Sequence, residues 1–441
     1  MDSLLTSHTA VVLLAVGALA AFDLSQRLRH RNFHLLFAVT FGSICSAAII
    51  AVGKALLTPG AAVNAYLATL VVLLLVLGWK ALFGPWEPEA KAAVLGTFLF
   101  WIGLIILGGQ NPKERYAHLI AGAVAFVPAL IWCSLFLKYH TERRAAVLLL
   151  FLSGMLATVP ILFYDALVRH HIELSLFLGR IVPEGFHQTT DAFVRGSLGL
   201  EGLRAVLAAS FGAFLVVGLI EECSKYWVVR RSGARLFSSI DDVLQLSIIA
   251  AIGFSFAENI VNPTYFQSFV QQYLLQPGKT DALGFVSNVL GRSVLTSMVH
   301  IVSTGVMGYF LGLAIFAHPY LLERRSSGAR LGISGVLARV LRVREERIFR
   351  GEMVVQGILI AVMLHGTFNF LVTVSDLLPS QPQTVGDLLG ATAPAVLQSI
   401  PLLLIPALLY VVGGFWLLTW LFLLKENAKE RVRVDIEEVG A

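Results

Sequence analysis

The side chains of this 441-residue chain that could do chemistry together lie in its second half, beginning with a pair of adjacent carboxylates. Glu221 and Glu222 are followed by Lys225, which lies four and three residues further on. On a helix these spacings let the ammonium group pair with either carboxylate. Two adjacent carboxylates do not both ionise cheaply in a low dielectric, so we expect one general base and one structural acceptor. The alternative is a polar cluster at the end of an apolar segment, with no part in catalysis.

A third carboxylate lies in the next apolar segment, where Phe254-x-x-x-Glu258-Asn259 places it toward the end. A charge in the middle of a bilayer costs about 2.5–3.5 kcal/mol on insertion scales, so Glu258 is tolerable there only beside a partner or water. Asn259 can line a polar face with Glu258. Both residues are therefore candidates for the same site as the adjacent carboxylates.

The following apolar segment carries Arg292, Ser297, His300 and Thr304. Arg292 and Thr296, like Thr296 and His300, are four residues apart, and on an α-helix this spacing predicts one polar stripe. A single histidine in a membrane segment is often only a hydrogen bond between helices, which is the alternative for His300.

His365 and Asn369, in the segment after that, are two hydrogen-bond donors one helical turn apart. Donors at this spacing could hold the oxyanion that develops when a peptide carbonyl is attacked. Together with the carboxylates they supply what hydrolysis in a membrane requires: a base for water, an acid for the leaving amine and donors for the tetrahedral intermediate. Gly308 and Gly312, by contrast, have the spacing of close helix packing.

Composition places these residues in a membrane protein. Hydrophobic residues make up 57% of the chain and charged residues 14%, against roughly 25% charged in soluble domains, so lipid must replace water over much of the surface. Cys45, Cys133 and Cys223 each lie in an apolar stretch, which is typical of small buried side chains and implies no disulfide or zinc framework.

The predicted fold class is all-α, a polytopic transmembrane helical bundle of about 11 spans. The predicted spans are Thr9–Phe22, Phe33–Leu57, Ala62–Leu82, Ala92–Gly108, Ala117–Leu137, Ala145–Leu167, Leu203–Val228, Val243–Asn262, Phe285–Phe316, Glu352–Val374 and Ala395–Leu424.

Lys and Arg residues are concentrated in alternate loops between the predicted spans, and the other loops are nearly bare of them. By the positive-inside rule, the N-terminus then lies outside and the C-terminus in the cytoplasm. The net charge of +5 therefore reflects the orientation of the chain in the membrane, and nucleic acid is not expected as a partner. We expect three regions: 1–202, a six-span N-terminal part of unknown role; 203–374, the catalytic membrane core; and 375–441, the last span and a cytoplasmic tail.

The polar residues resemble, in order and approximate spacing, the motifs of the PrsW family of intramembrane proteases, within the wider group of CAAX-protease-like proteins and prenyl endopeptidases. The resemblance covers about residues 218–370. Prenyl endopeptidases carry histidine where this chain has Glu258, so PrsW is the better analogy. The matching motifs are Glu221-Glu222-x-x-Lys225 for EExxK, Phe254-x-x-x-Glu258-Asn259 for FxxxE(N), His300 for a lone membrane histidine, and His365-x-x-x-Asn369 for an HxxxN-type motif.

The resemblance implies an integral membrane endopeptidase of the glutamic type, which hydrolyses a membrane-anchored protein in or near the bilayer. PrsW itself cleaves a single-span anti-sigma factor, so a substrate of that kind in the bacterial cytoplasmic membrane is implied. The roles that the resemblance implies are activation of water by Glu221 (or Glu222) with Glu258, oxyanion binding by His365 and Asn369, orientation of water or carboxylates by His300, and support from Lys225, Asn259 and Arg292.

Three alternatives stay open at this point. No cofactor is expected, but Glu258, His300 and His365 would be adequate ligands for a divalent metal such as zinc. A proton-coupled transporter or channel could use the same Glu and His residues as a relay, although polar residues gathered in one half of the chain favour an enzyme. A catalytically inactive scaffold that binds single-span proteins would show the same pattern.

Overall fold

The computed structural model describes most of the chain from residue 87 to residue 424. The predicted spans Thr9–Phe22 and Ala62–Leu82, and nearly all of Phe33–Leu57, lie outside the described residues. The described residues are 38–40, 42–43, 46, 87–108, 111–169, 174–176, 179–181, 184–261, 282–326, 333–390 and 392–424.

The chain forms two compact units. The first contains helix α1 (Pro88–Gly108), which corresponds to the predicted span Ala92–Gly108. Its first residue is a proline, which is tolerated in the first turn because the missing N–H has no helical partner there. Every candidate site residue belongs to the second unit, and the division into three regions stays a prediction. The units are Met1–Arg115 with Arg143–Leu152, and Tyr116–Glu142 with Ser153–Ala441.

The second unit is built almost entirely from helices, as its apolar segments predict. Among its described residues the strands are β1 (Leu174–Leu176) and β2 (Gly179–Ile181), which pair antiparallel. The helices that belong wholly or partly to this unit are α2 (Pro112–Phe136), α3 (Arg144–Leu156), α4 (Val159–Arg169), α5 (Phe186–Gly196), α6 (Gly202–Gly233), α7 (Ile240–Val261), α8 (Ala282–Leu290), α9 (Ser297–Ile315), α10 (Ala317–Ser326), α11 (Ile333–Leu341), α12 (Glu345–Leu377), α13 (Val385–Leu389), α14 (Ala395–Gln398), α15 (Leu404–Ala407) and α16 (Gly414–Leu424).

Two π-helical segments connect consecutive helices. Gly291–Thr296 connects α8 to α9, and Leu408–Gly413 connects α15 to α16.

Seven helical stretches of the described chain are long and apolar enough to cross a membrane, and they overlap the last seven predicted spans. The total of about 11 spans and the orientation in the membrane stay predictions. The seven stretches are Pro112–Phe136, Arg144–Arg169, Gly202–Gly233, Ile240–Val261, Leu283–Ile315, Glu345–Leu377 and Leu404–Leu424.

The predicted span Ala395–Leu424 is wrong in its first part, because the chain leaves the helix around Pro401. A proline disfavours helical geometry in the residue before it. The backbone N–H of Leu402 donates to the carbonyl of Gln383 at 2.9 Å, which pairs this stretch with an earlier loop. The membrane helix therefore begins at Leu404, and α14 is a separate short helix.

Helices α7 and α9 are the most enclosed of the seven stretches, and they pack closely along a row of small residues. A methyl group added at Gly308 would lie 2.5 Å from Ser247 Cβ, and one at Gly312 would lie 2.5 Å from Ile240 Cγ2. The two glycines thus pack helix against helix, as their spacing predicts. This contact sets the distance between the polar side chains of α7 and α9.

Gly154 on α3 is a second point of close approach, and it yields a test of this packing. A methyl group there would lie 1.9 Å from the backbone oxygen of Ala250 on α7, an atom that cannot rotate away. We expect Gly154→Ala to lower the stability of the purified protein by about 1–3 kcal/mol, the usual cost of overpacking. The measurement is the thermal unfolding midpoint in detergent.

The matched control is Gly122→Ala on α2, where an added methyl group has nothing within 4 Å. Alanine is the better helix former, so this variant should unfold at the same or a higher temperature. Equal losses in the two variants would contradict the proposed contact.

Candidate active site

Two glycines bring the candidate residues of α6 and α12 together. Gly218 and Gly366 lie where the helices cross: a methyl group at Gly366 would lie 3.2 Å from Leu215 Cα, and one at Gly218 would lie 3.5 Å from His365 Cβ. Because Glu222 follows Gly218 by about one helical turn, this crossing places it opposite His365.

Glu222 is fully buried and both of its carboxylate oxygens have partners. Its Oε1 lies 2.7 Å from Lys225 Nζ, 2.9 Å from His365 Nδ1 and 3.0 Å from Ser303 Oγ. Its Oε2 accepts a hydrogen bond from Thr304 Oγ1 at 2.9 Å. A carboxylate held by this many donors has no free oxygen for a reacting water, so Glu222 is suited to a structural role.

Glu221 has the opposite environment. Its side chain is buried, yet Oε2 makes no hydrogen bond within the described part of the chain. Three nitrogen atoms surround this oxygen just beyond hydrogen-bond distance: His365 Nε2 at 3.6 Å, Lys225 Nζ at 3.8 Å and His300 Nδ1 at 4.0 Å. These separations suit a small bridging species such as water, so the neighbouring carboxylates differ in chemistry although they are adjacent in sequence.

The hydrogen bonds of His300 assign its tautomer. Nδ1 lies 3.0 Å from Lys225 Nζ, and Nε2 lies 3.0 Å from Glu258 Oε2. An ammonium group only donates, so Nδ1 accepts and Nε2–H donates to the carboxylate. His300 thereby links the carboxylate pair on α6 to Glu258 on α7. Its ring also meets that of His365 edge to face, with centroids 4.9 Å apart.

Glu258 lies near the end of α7 and is the most exposed acid of the site, with 16% of its side chain accessible. Arg292 Nη2 lies 3.2 Å from its Oε2. Arg292 Nε donates to Asn259 Oδ1 at 2.9 Å, so the neighbouring amide fixes the guanidinium group. The structure therefore brings Asn259 and Arg292 together with Glu258.

Arg292 and His300 face the same carboxylate, as the predicted polar stripe requires, but the helix between them is not regular, because Arg292 lies in the π-helical segment Gly291–Thr296. Two residues eight apart on an α-helix, at about 100° each, differ by about 80° in direction. A π turn advances each residue by only about 80°, and this removes most of the difference. Arg292 and His300 can thus reach the same oxygen of Glu258. No pattern in the sequence indicated the π segment.

Polar contacts from the surrounding helices support the π segment. The indole N–H of Trp132 on α2 donates to the carbonyl of Ser293 at 2.8 Å. Ser297 Oγ donates to the carbonyl of Arg292 at 3.1 Å and lies 2.9 Å from Ser255 Oγ. The Trp132 bond gives the Ser293 carbonyl a partner, and the Arg292 carbonyl also accepts the backbone N–H of Ser297, five residues on, as in a π-helix.

Sequence reasoning missed Ser303 and named Thr304 without a role. Their positions three and four residues after His300 were the available signal, since residues at those spacings share a helix face. Asn369 lies one turn beyond His365 and is half-buried. No hydrogen bond of its side chain to the cluster is found among the described residues, and its predicted part in oxyanion binding stays a prediction.

Glu221, His300 and His365 also form a group that could bind a metal ion, since one ligand atom from each lies within 4.8 Å of the others. This group contains Glu221 where the sequence suggested Glu258. Imidazole and carboxylate are suitable zinc ligands. Glu221 Oε2 and His365 Nε2 are free to bind an ion, whereas His300 must first give up its contact with Lys225 or Glu258. The donor set therefore fits a divalent ion, at the expense of one hydrogen bond.

Carboxylates and imidazoles that meet inside a bundle of membrane helices are the groups expected of a membrane-embedded peptidase. Residues 142–397 match the family described as PrsW family intramembrane metalloprotease. The chain belongs to this family, and with its apolar helices it is an integral membrane protein of the intramembrane protease type. No curated protein and no solved structure matches the chain significantly.

Substitution of Thr304 tests whether both carboxylate oxygens of Glu222 need their hydrogen-bond donors. Thr304→Val keeps the shape of the side chain but removes the hydroxyl that donates to Glu222 Oε2. The buried oxygen then lacks a donor, and we expect a loss of about 1–3 kcal/mol in the free energy of unfolding. Thr304→Ser retains the hydroxyl and should lose less. Chemical unfolding of both variants in detergent measures the difference, and a valine variant as stable as the serine variant would contradict the assignment.

Proposed function

We propose that this chain is an endopeptidase of the bacterial cytoplasmic membrane that hydrolyses a membrane-anchored protein by glutamate-activated water. The observation that carries the proposal is the asymmetry of the carboxylate pair. Glu222 is saturated with donors, and Oε2 of Glu221 is buried without a hydrogen bond among the described residues. A base for water must have such a free oxygen, with nitrogen atoms near enough to orient the water.

Charge balance supports a definite protonation state for the cluster. The three acids Glu221, Glu222 and Glu258 face the cations Lys225 and Arg292. His365 lies 2.9 Å from one carboxylate and 3.6 Å from another, and with both ring nitrogens protonated it supplies the third positive charge. If His300 is neutral, the three negative and three positive charges of the cluster cancel. A cluster without net charge costs the least free energy in lipid.

The reaction follows from this arrangement. Glu221 takes a proton from water, and the water oxygen attacks the carbonyl carbon of the peptide bond. His365 donates from Nε2 to the developing oxyanion, while Nδ1–H stays bonded to Glu222. Asn369, one turn away on α12, is the second proposed donor. The C–N bond then breaks as Glu221 returns the proton to the leaving amine.

Glu258 and its partners hold the other side of the site. Glu258 accepts from His300 Nε2–H, and His300 accepts from Lys225, so the ammonium group stays directed at the carboxylate pair. Arg292 and Asn259 position Glu258 for this contact. The partial exposure of Glu258 and Arg292, 16% and 15%, makes this side the proposed entrance for water.

A divalent ion, if bound, would be held by Glu221, His365 and His300, and would supply Lewis-acid polarisation of the carbonyl and a more acidic water. Three contacts favour the mechanism without it. Both nitrogens of His300 are engaged, and Lys225 Nζ lies 3.8 Å from the carboxylate oxygen that would bind the ion. A fixed positive charge at that distance opposes a second one.

The catalytic roles are tested by replacing single groups. We expect Glu221→Gln, Glu258→Gln and His365→Ala each to abolish peptide-bond cleavage without lowering the amount of protein in the membrane. The measurement is mass spectrometry of new protein N-termini after each purified variant, in proteoliposomes, is mixed with native membrane proteins. Hydrolysis in H₂¹⁸O should place one ¹⁸O in each new C-terminus.

The matched control is Glu201→Gln, which changes an exposed acid at the start of the same helix α6. It should release the same fragments as the unaltered protein. Fragments of unchanged yield from all three site variants would overturn the proposed roles.

Metal dependence is tested separately with the same cleavage products. We expect cleavage to persist after treatment with 1,10-phenanthroline, and the purified protein to contain less than one equivalent of zinc by elemental analysis. The reason is that Lys225 and the hydrogen bonds of His300 compete with an ion. Loss of cleavage on chelation, restored by added zinc, would contradict the metal-free mechanism and favour the metal-bound one.

A further inference from the structure

Helix α11 turns four large apolar side chains away from the described part of the chain. Its small residues Gly335 and Ala338 are buried, and the helix packs against α12 on that side. At about 100° per residue, the exposed apolar residues point roughly in the opposite direction. Those residues and their exposed fractions are Val336 (60%), Leu337 (41%), Val340 (72%) and Leu341 (60%).

This arrangement is the reverse of a surface helix in water, which buries its large apolar residues and exposes its polar ones. A helix of nine residues is also too short to be stable through its own hydrogen bonds alone. The outward face therefore needs an apolar cover that the described residues do not provide. The composition of that cover is indicated by the charges beside it.

Four exposed arginines lie along and just after α11. None of them forms an ion pair with another described side chain, whereas Arg350, further along, pairs with Glu346. Arginine next to exposed apolar side chains is typical of helices that lie in the headgroup region of a membrane with anionic lipids. The four arginines are Arg339, Arg342, Arg344 and Arg347.

The length of α12 places α11 at the level of the headgroups. With 33 residues, α12 extends about 50 Å at 1.5 Å per residue, well beyond the roughly 30 Å of the hydrocarbon core. Five charged residues lie in its first eight positions, so the excess length is best placed at the end that follows α11, in the headgroup region: Glu345, Glu346, Arg347, Arg350 and Glu352. Arg342, with a positive φ of 54°, ends α11 and turns the chain toward α12.

We propose that α11 and the four arginines form a binding surface for anionic lipid headgroups, with Val336, Leu337, Val340 and Leu341 inserted at the boundary of the hydrocarbon. The guanidinium groups pair with lipid phosphates, and the apolar face is covered by the upper parts of the acyl chains. The proposal is independent of the catalytic one.

The test is collisional quenching of a bimane label at Val340→Cys, in a protein whose Cys45, Cys133 and Cys223 are replaced by alanine. The protein is reconstituted in vesicles of equal phosphatidylglycerol and phosphatidylcholine, and either lipid carries the same doxyl quencher near the headgroup. We expect the phosphatidylglycerol quencher to act at least about twice as strongly, because anionic lipid is enriched at the arginines. A label at Leu359→Cys, exposed on the middle of α12, should be quenched without a comparable preference.

Replacing the four arginines by glutamine should abolish the preference, and replacing them by lysine should preserve most of it, since the charge is what selects the lipid. Two results would overturn the proposal. Absence of quenching by either lipid would mean that the face is covered by water or by a protein. Equal quenching by both lipids would mean lipid contact without recognition of anionic headgroups.

Discussion

The cost of placing charges in lipid is the constraint on which the rest of this structure depends. Three carboxylates, a lysine and an arginine lie within helices long and apolar enough to span a membrane, and each would be costly there alone. They are tolerable because they contact one another: Lys225 lies between Glu222 and His300, and His300 lies between Lys225 and Glu258. Helix packing follows from this need, since the glycine contacts of α6 with α12 and of α7 with α9 are what allow the polar groups to meet.

Helix α9 gives the two adjacent glutamates of α6 different hydrogen-bond environments. Ser303 and Thr304 of α9 reach Glu222, while Oε2 of Glu221 faces three nitrogens at 3.6–4.0 Å. Because Glu222 is the acceptor for these donors, Oε2 of Glu221 is left for a water molecule in the proposed mechanism. Without Glu222, the proposed base Glu221 would itself be the acceptor for Lys225 and His365. It would then be less able to take a proton from water.

The sequence was sufficient to predict the apolar helices of the described residues and to select polar side chains that the bundle brings together, because apolar length and the spacing of polar side chains are local properties. It could not decide between Glu221 and Glu222, since that choice depends on hydroxyl groups from α9 that meet α6 only in the folded bundle. The break at Pro401 was readable in the sequence and was overlooked. Nearly all of the first three predicted spans lies outside the described residues, and the number of spans and their orientation stay predictions.

The π-helical segment Gly291–Thr296 has a consequence for how this chain can vary. Such a segment holds one residue more than an α-helix would use over the same turn. Return to α-helical geometry with the same number of residues would turn Arg292 by about 80° relative to His300, whereas loss of one residue together with the π geometry would leave the two within about 20° of each other. In this stretch we therefore expect natural variants to keep the extra residue and the π geometry together, or to lose both together.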